Sequence, residues 1–278
     1  MTQLSLIDPS ALSQASAGIA LDLRSPDSYW QGHLPNARQV DAALFALPKT
    51  DAASVQQYEA RLRWLFSTLG LNADAPVLVY GENFDGSVAR AAWALAFAGV
   101  KRVSVLAGPL AQADGVPLSR EAPVFAAQPF ALSAQRALLA TADDIAATLG
   151  NAGTRIVDAR EADDYRGTKA ATKAGTNAGT NAGTKPGAGH IPGALHWDNR
   201  QELNAAGTLD TPDALAERFG ALGLAKHEPI VVYCGGGPRA SRTWLALQRA
   251  GYTRASVYQS SWGEWGARAD LPVETSAN

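Results

Sequence analysis

Leu21-Asp22-Leu23-Arg24-Ser25-Pro26-Asp27-Ser28-Tyr29 is answered 136 residues later by Val157-Asp158-Ala159-Arg160-Glu161-Ala162-Asp163-Asp164-Tyr165. The correspondence continues. Gly32-His33-Leu34-Pro35-Asn36-Ala37 pairs with Gly189-His190-Ile191-Pro192-Gly193-Ala194, and Val77-Leu78-Val79-Tyr80 with Ile230-Val231-Val232-Tyr233. An apolar helical pattern follows each of the latter runs and stops at Gly99 or Gly251, where a left-handed C-terminal residue is expected. A further β-rich run comes next, Val103–Leu106 or Ala255–Tyr258. Short β-branched runs alternating with helical segments imply a parallel sheet covered by helices on both faces. The chain therefore reads as a tandem α/β protein. Residues 1–125 form the first domain, 126–135 a linker and 136–278 the second domain.

The register of the repeat locates an insertion. Asp22 and Asp158 are offset by 136 positions but His33 and His190 by 157, so the second copy holds 21 additional residues. They coincide with Thr168–Ala188, which contains the near-repeat Ala-Gly-Thr-Asn from Ala174 to Thr184. With no large apolar side chain to bury, this stretch is expected to be a mobile surface loop.

The whole composition narrows the function classes. A length of 278 residues suffices for two separate cores, and 46% hydrophobic with 18% charged residues is ordinary for a globular chain. A net charge of -2 without any basic run argues against nucleic acid as a partner. The apolar stretch Trp93–Ala98 is too short to cross a bilayer, so no membrane association is expected. Met1–Pro9 lacks the basic start and apolar core of a secretory signal. Cys234 is the sole cysteine, which excludes an intrachain disulfide and points to a cytoplasmic protein. One cysteine and four histidines without zinc-site spacing give no reason to expect a metal.

Chemistry concentrates in Cys234-Gly235-Gly236-Gly237-Pro238-Arg239-Ala240-Ser241, directly after the strand Ile230–Tyr233. The C-terminal end of a parallel strand is where open α/β sheets place their sites. Three glycines let the backbone curl and turn its N–H groups inward. Pro238 suits the first helical turn, where its missing donor costs nothing. A cysteine in that cradle faces amide donors and the positive end of a helix, a setting that favours the thiolate. The matching loop of the first copy, Gly81-Glu82-Asn83-Phe84-Asp85-Gly86-Ser87, has a glycine in place of the nucleophile and two carboxylates beside it. One active and one inactive domain is the expectation.

The repeated Gly-His-[Ile/Leu]-Pro-x-Ala, the six-residue loop that starts at Cys234 and the closing Ser261-Trp262-Gly263-Glu264-Trp265 resemble the tandem-domain rhodaneses. Departures are Asn36 for the usual glycine and Gln259-Ser260 for an acidic-glycine pair. The resemblance implies a sulfurtransferase in which Cys234 attacks the outer sulfur of a small anionic donor and becomes a persulfide. Cyanide, a thiol or a sulfur-accepting protein would then discharge it, with no metal or organic cofactor. The loop amides of Gly235, Gly236 and Gly237 would stabilise the terminal sulfur. Arg239 and Arg166, which matches an anion-binding arginine of the family, would hold the donor's anionic end. Asp22 with Arg24, Asp158 with Arg160, and His190 are read as groups that hold the fold.

The donor is read as thiosulfate, because Arg239 places a cation at the last loop position as in some bacterial thiosulfate-type members. The alternative is 3-mercaptopyruvate, whose enzymes resemble Cys-Gly-Ser-Gly-Val-Thr; here Gly236 stands in place of that serine. Two other classes are weaker. The ring from Cys234 to Arg239 is one residue shorter than the anion loop of cysteine phosphatases. A non-catalytic interaction module would not need an intact Cys234.

Overall fold

The computed structural model of the protein describes residues 2–14, 18–150, 153–168 and 188–275. Most of the Thr168–Ala188 insertion, residues 169–187, thus lies outside the described residues.

The chain forms two compact units. One comprises Met1–Phe45, Gln56–Gln135 and Asn204–Leu209; the other comprises Ala46–Val55, Arg136–Leu203 and Asp210–Asn278.

The first unit is built on strands β1 (Gln3–Ile7), β2 (Ile19–Asp22), β3 (Arg38–Gln39), β4 (Pro76–Tyr80) and β5 (Arg102–Leu106). Their order in the sheet is β1-β5-β4-β2-β3, with every pairing parallel. Helices α1 (Pro26–Gln31), α2 (Ala52–Thr68) and α3 (Gly86–Phe97) belong to the first repeat copy. The run Val88–Phe97 is buried throughout, as its nearly continuous apolar sequence requires. Gly99 ends α3 with φ +92, the left-handed residue read from the sequence. Asn36 takes φ +59, a conformation that asparagine tolerates better than most side chains.

In the second unit β6 (Arg155–Asp158), β7 (Leu195–His196), β8 (Ile230–Tyr233) and β9 (Ala255–Val257) form a sheet of order β7-β6-β8-β9, again all parallel. Leu139 adds an isolated parallel bridge to Val257, on the side where β1 extends the first sheet. Helices α4 (Ala142–Thr148), α5 (Ala162–Arg166), α6 (Pro212–Ala221), α7 (Pro238–Arg249) and α8 (Ser261–Trp265) complete it. Both sheets are flanked by helices, the α/β architecture expected from the repeat. All four residues of β8 are buried, so the chain emerges at Cys234 from the middle of a covered sheet.

The repeated motifs fasten loop to sheet in the same way twice. Arg160 forks onto Asp158, with Nη2 at 2.6 Å, and donates to the Gly189 carbonyl at 2.7 Å. Tyr233 accepts the Ile191 N–H at 3.0 Å. In the first unit Arg24 binds Asp22 and the Gly32 carbonyl, each at 2.7 Å, while Tyr80 donates to Asp22 at 2.6 Å. His190 stacks on Tyr165 with ring centroids 3.8 Å apart, and its Nδ1 lies 2.8 Å from the Tyr165 carbonyl. These groups are buried and tied to backbone, as expected of residues that hold the fold.

Candidate active site

Cys234 is 1% exposed and lies at the junction of β8 and the loop into α7. Its Sγ accepts the Gly237 N–H at 3.2 Å. Its own N–H donates to Ser261 Oγ at 3.0 Å, and that hydroxyl donates to the Tyr258 carbonyl at 2.7 Å. Ser261 Oγ also stands 3.9 Å from Sγ. The Trp262 and Gly263 N–H groups bind the Cys234 and Gly235 carbonyls at 3.0 and 2.9 Å, so the start of α8 is laced to the base of the loop. Glu264 anchors α8 in turn: its carboxylate accepts from Thr50 N, Thr50 Oγ1 and Tyr258 Oη at 2.7–2.9 Å.

The three glycines are not equivalent. Gly237 adopts φ +104, and a Cβ there would lie 2.7 Å from the Gln259 carbonyl oxygen, so only glycine fits. A side chain at Gly236 would meet nothing within 4 Å. At Gly235 a Cβ would come within 3.6 Å of the Arg239 guanidinium, which therefore lies over the second loop residue. Of the three amides, Gly237 is the one that hydrogen-bonds sulfur in the structure.

Gly237 is also the N-cap of α7, and no side chain caps that end. The first helix amides are left without an intrahelical partner and carry the positive end of the dipole toward the cysteine loop. Pro238 occupies the first turn as read from the sequence. The corresponding end of α3 is closed: Asp85 accepts the Ser87 and Val88 N–H groups at 2.8 and 3.1 Å. At Gly81 a Cβ would meet Val88 Cγ2 at 2.8 Å, and Phe84 is buried beside it in the loop. The second copy thus leaves its helix end without a side-chain cap where the first is closed by Asp85.

Arg239 is about one-third exposed, with Glu161 Oε1 4.0 Å and Asp164 Oδ2 3.9 Å away. Arg166 ends α5 with its side chain half exposed, and its Nη1 lies 3.8 Å from Asp163 Oδ1. The α5 side chain that the fold sets beside Arg239 is therefore Asp164, a carboxylate two positions before the arginine singled out in the sequence.

Sequence reasoning missed several groups. Ser261 sits at φ +56, a left-handed position rare for serine, and turns its hydroxyl under the nucleophile. Gln259 Nε2 donates to Ser241 Oγ at 2.9 Å, and Ser241 Oγ donates to the Gly237 carbonyl at 3.0 Å. Glu202 is fully buried: it accepts from Arg242 Nε and Trp197 Nε1 at 3.0 Å each and from Thr243 Oγ1. Burial pushes its carboxyl above the usual range, against the pull of Arg242 and the other donors. Among the described residues no group of three or more His, Cys, Asp or Glu could hold a metal ion, and no helix is long and apolar enough to cross a membrane.

Comparison with known proteins identifies the family of the chain. The sequence pattern of the rhodanese-like domain matches residues 8–112 and again 141–268. A thiosulfate sulfurtransferase of Azotobacter vinelandii is 34% identical over 258 residues, covering 92% of this chain and 90% of that protein. A 3-mercaptopyruvate sulfurtransferase of Escherichia coli (strain K12) is 31% identical over 268 residues, covering 91% and 87%. Among solved structures, wild-type EanB superposes with a TM-score of 0.78 at 21% identity, a likeness of fold. That match takes in 100% of this chain but only 65% of EanB.

Proposed function

This chain belongs to the rhodanese family, and from that premise we propose that it is a sulfurtransferase that moves sulfur from thiosulfate to a nucleophilic acceptor through a persulfide on Cys234. The Cys234 thiolate attacks the outer sulfur of thiosulfate. A new S–S bond forms, the donor's S–S bond breaks, and sulfite leaves with its electron pair. Cyanide or a thiol then attacks the terminal persulfide sulfur, the product departs as thiocyanate or a new persulfide, and the Cys234 thiolate is restored. No external oxidant or reductant enters this cycle. A sulfur-accepting protein can stand in for the small acceptor in the second step.

One observation carries the reading. The sole thiol of the chain accepts the Gly237 N–H at 3.2 Å at the uncapped end of α7. A thiolate and the terminal sulfur of a persulfide are both anions, and an open helix end with inward amides favours them in both states. In this proposal the Gly235, Gly236 and Gly237 amides line the sulfur, and Arg239 over Gly235 takes the sulfonate end of the donor. Arg166 supplies a second positive charge at the end of α5. The first domain serves as a scaffold without chemistry, a reading supported by Gly81 at the nucleophile position and by Asp85 on the α3 end. A buried free thiol suits the reducing cytoplasm.

The second reading is 3-mercaptopyruvate as donor, which the neutral Gly235 beside the nucleophile favours, while Gly236 stands where that type has its serine. Steady-state kinetics with both donors tests the choice: kcat/KM is expected to be higher with thiosulfate. A clear preference for 3-mercaptopyruvate would overturn the donor, and undiminished transfer by Cys234→Ser would overturn the mechanism.

A further inference from the structure

Gly237 carries the amide that meets the nucleophile, and Gln259 packs against it with both main chain and side chain. A Cβ on Gly237 would overlap Gln259 Oε1 and fall 2.7 Å from the Gln259 carbonyl oxygen. The other atom of the same amide ties the loop through a hydroxyl: Nε2 donates to Ser241 Oγ at 2.9 Å, which leaves the hydroxyl proton to go to the Gly237 carbonyl at 3.0 Å. The same carbonyl takes the Ser241 N–H at 2.9 Å, and the Gly237 N–H reaches Cys234 Sγ at 3.2 Å. Gln259 and Ser241 are 1% and 0% exposed, so water does not compete for these bonds. Gln259 Oε1 is buried and has no hydrogen-bond partner among the described residues. An unpaired buried acceptor opposes folding, and its presence calls for a compensating role.

We infer that Gln259 is a positioning residue of the sulfur-transfer site, which through Ser241 fixes Gly237 so that its N–H stays on the nucleophilic sulfur. The direction of the relay depends on the amide. Nε2 is a donor and forces Ser241 to donate forward to Gly237; a carboxylate at this position would draw the hydroxyl proton to itself and reverse the relay. A neutral side chain also leaves the positive helix end facing the sulfur uncompensated.

The inference rests on Cys234 being the nucleophile, and its test does not use sulfur transfer. The rate of Cys234 alkylation by iodoacetamide is measured against pH in the sulfur-free protein and in Gln259→Leu, Ser241→Ala and the double variant. The charged groups around the loop are Arg239 on α7, Glu161 and Asp164 at α5, the Asp158–Arg160 pair at the end of β6 and Glu264 on α8. All are common to the four proteins. Losing the hold on one amide donor is expected to raise the alkylation midpoint by about half to one pH unit in each single variant. Because the two side chains act in series, the double variant is expected to shift no further than either single one. Ser241→Ala removes only a hydroxyl from a helix and keeps the test open if Gln259→Leu folds poorly. Midpoints equal to the parent's, or shifts that add in the double variant, would overturn the relay. Were sulfur transfer itself absent while the midpoints moved as expected, the failure would belong to the function and not to this inference.

Discussion

Each residue of the Cys234 loop answers to a different physical demand, and substitutions should separate them. At Gly237 the demand is steric and conformational: φ is +104 and the Gln259 backbone blocks a side chain. Gly236 has open space in the Cβ direction. Gly237→Ala is therefore expected to lower kcat/KM at least tenfold and Gly236→Ala to leave it within about threefold, as read by steady-state kinetics. Loss of one charge-assisted contact to the donor costs roughly 1.5–3 kcal/mol, so Arg239→Ala should reduce efficiency with thiosulfate about 10- to 150-fold. Its effect on discharge by cyanide should be smaller, since no donor oxyanion remains at that step. Arg166→Ala measured in parallel shows whether the second arginine shares the task. Equal rates for both variants and the parent would remove the anion site from the account. The cysteine, the glycines and Arg239 were legible in the sequence because they are contiguous and their chemistry is local. The roles of Gln259 and Ser261 were not: these residues lie 25 and 27 positions from Cys234 and reach the loop only after β9 has returned beside β8, and the role of Ser241 is set by Gln259. Asp164 was hidden for another reason. Five residues of helix decide which side chain of α5 turns toward Arg239, and spacing alone did not distinguish Asp164 from Arg166.

Helix ends account for the difference between the two copies. In α3 the side chain of Asp85 fills the site that α7 leaves to the sulfur. Gly81→Cys is thus expected to yield no second persulfide of comparable reactivity, because the new Cβ meets Val88 and the anion position is already taken by a carboxylate. Intact-protein mass after treatment with donor reads this directly, and a second added sulfur would contradict it. A different device ties α7 to the helical turn Asn199–Glu202 that follows β7. Glu202 collects Arg242, Trp197 and Thr243 in a place without solvent. Glu202→Ala would strand the largely buried Arg242 charge and should cost about 3–5 kcal/mol in denaturant unfolding. A loss below 1 kcal/mol would show that water reaches the pair. Nothing in the sequence around Glu202 marks it, since an acidic residue in a polar turn reads as solvated. Strands β4, β5, β8 and β9, in contrast, were legible nearly to the residue, as in the apolar run Ile230–Tyr233, whereas β1 and the two-residue β3 and β7 were not read as strands.

At the scale of the whole molecule the duplicated pattern gave the architecture, because two copies of one signal support each other where either alone is ambiguous. That Ala46–Val55 belongs to the second unit and Asn204–Leu209 to the first was not legible, since neither segment forms part of the repeated motifs. The insertion in the second copy leaves and re-enters the fold at one place: a Cβ on Gly167 would fall 2.7 Å from the Gly189 nitrogen. Loop-closure cost grows only slowly with length, so removing residues 169–187 should change the unfolding midpoint little. A fall of many degrees would show that the segment is packed. The central claim is that a single sulfur travels on Cys234, and the mass of the intact protein tests it most directly. After incubation with thiosulfate the protein should gain the mass of one sulfur atom, lose it on adding cyanide with release of thiocyanate, and gain nothing as Cys234→Ser. An unchanged mass with either donor, or an equal gain in the serine variant, would contradict the account.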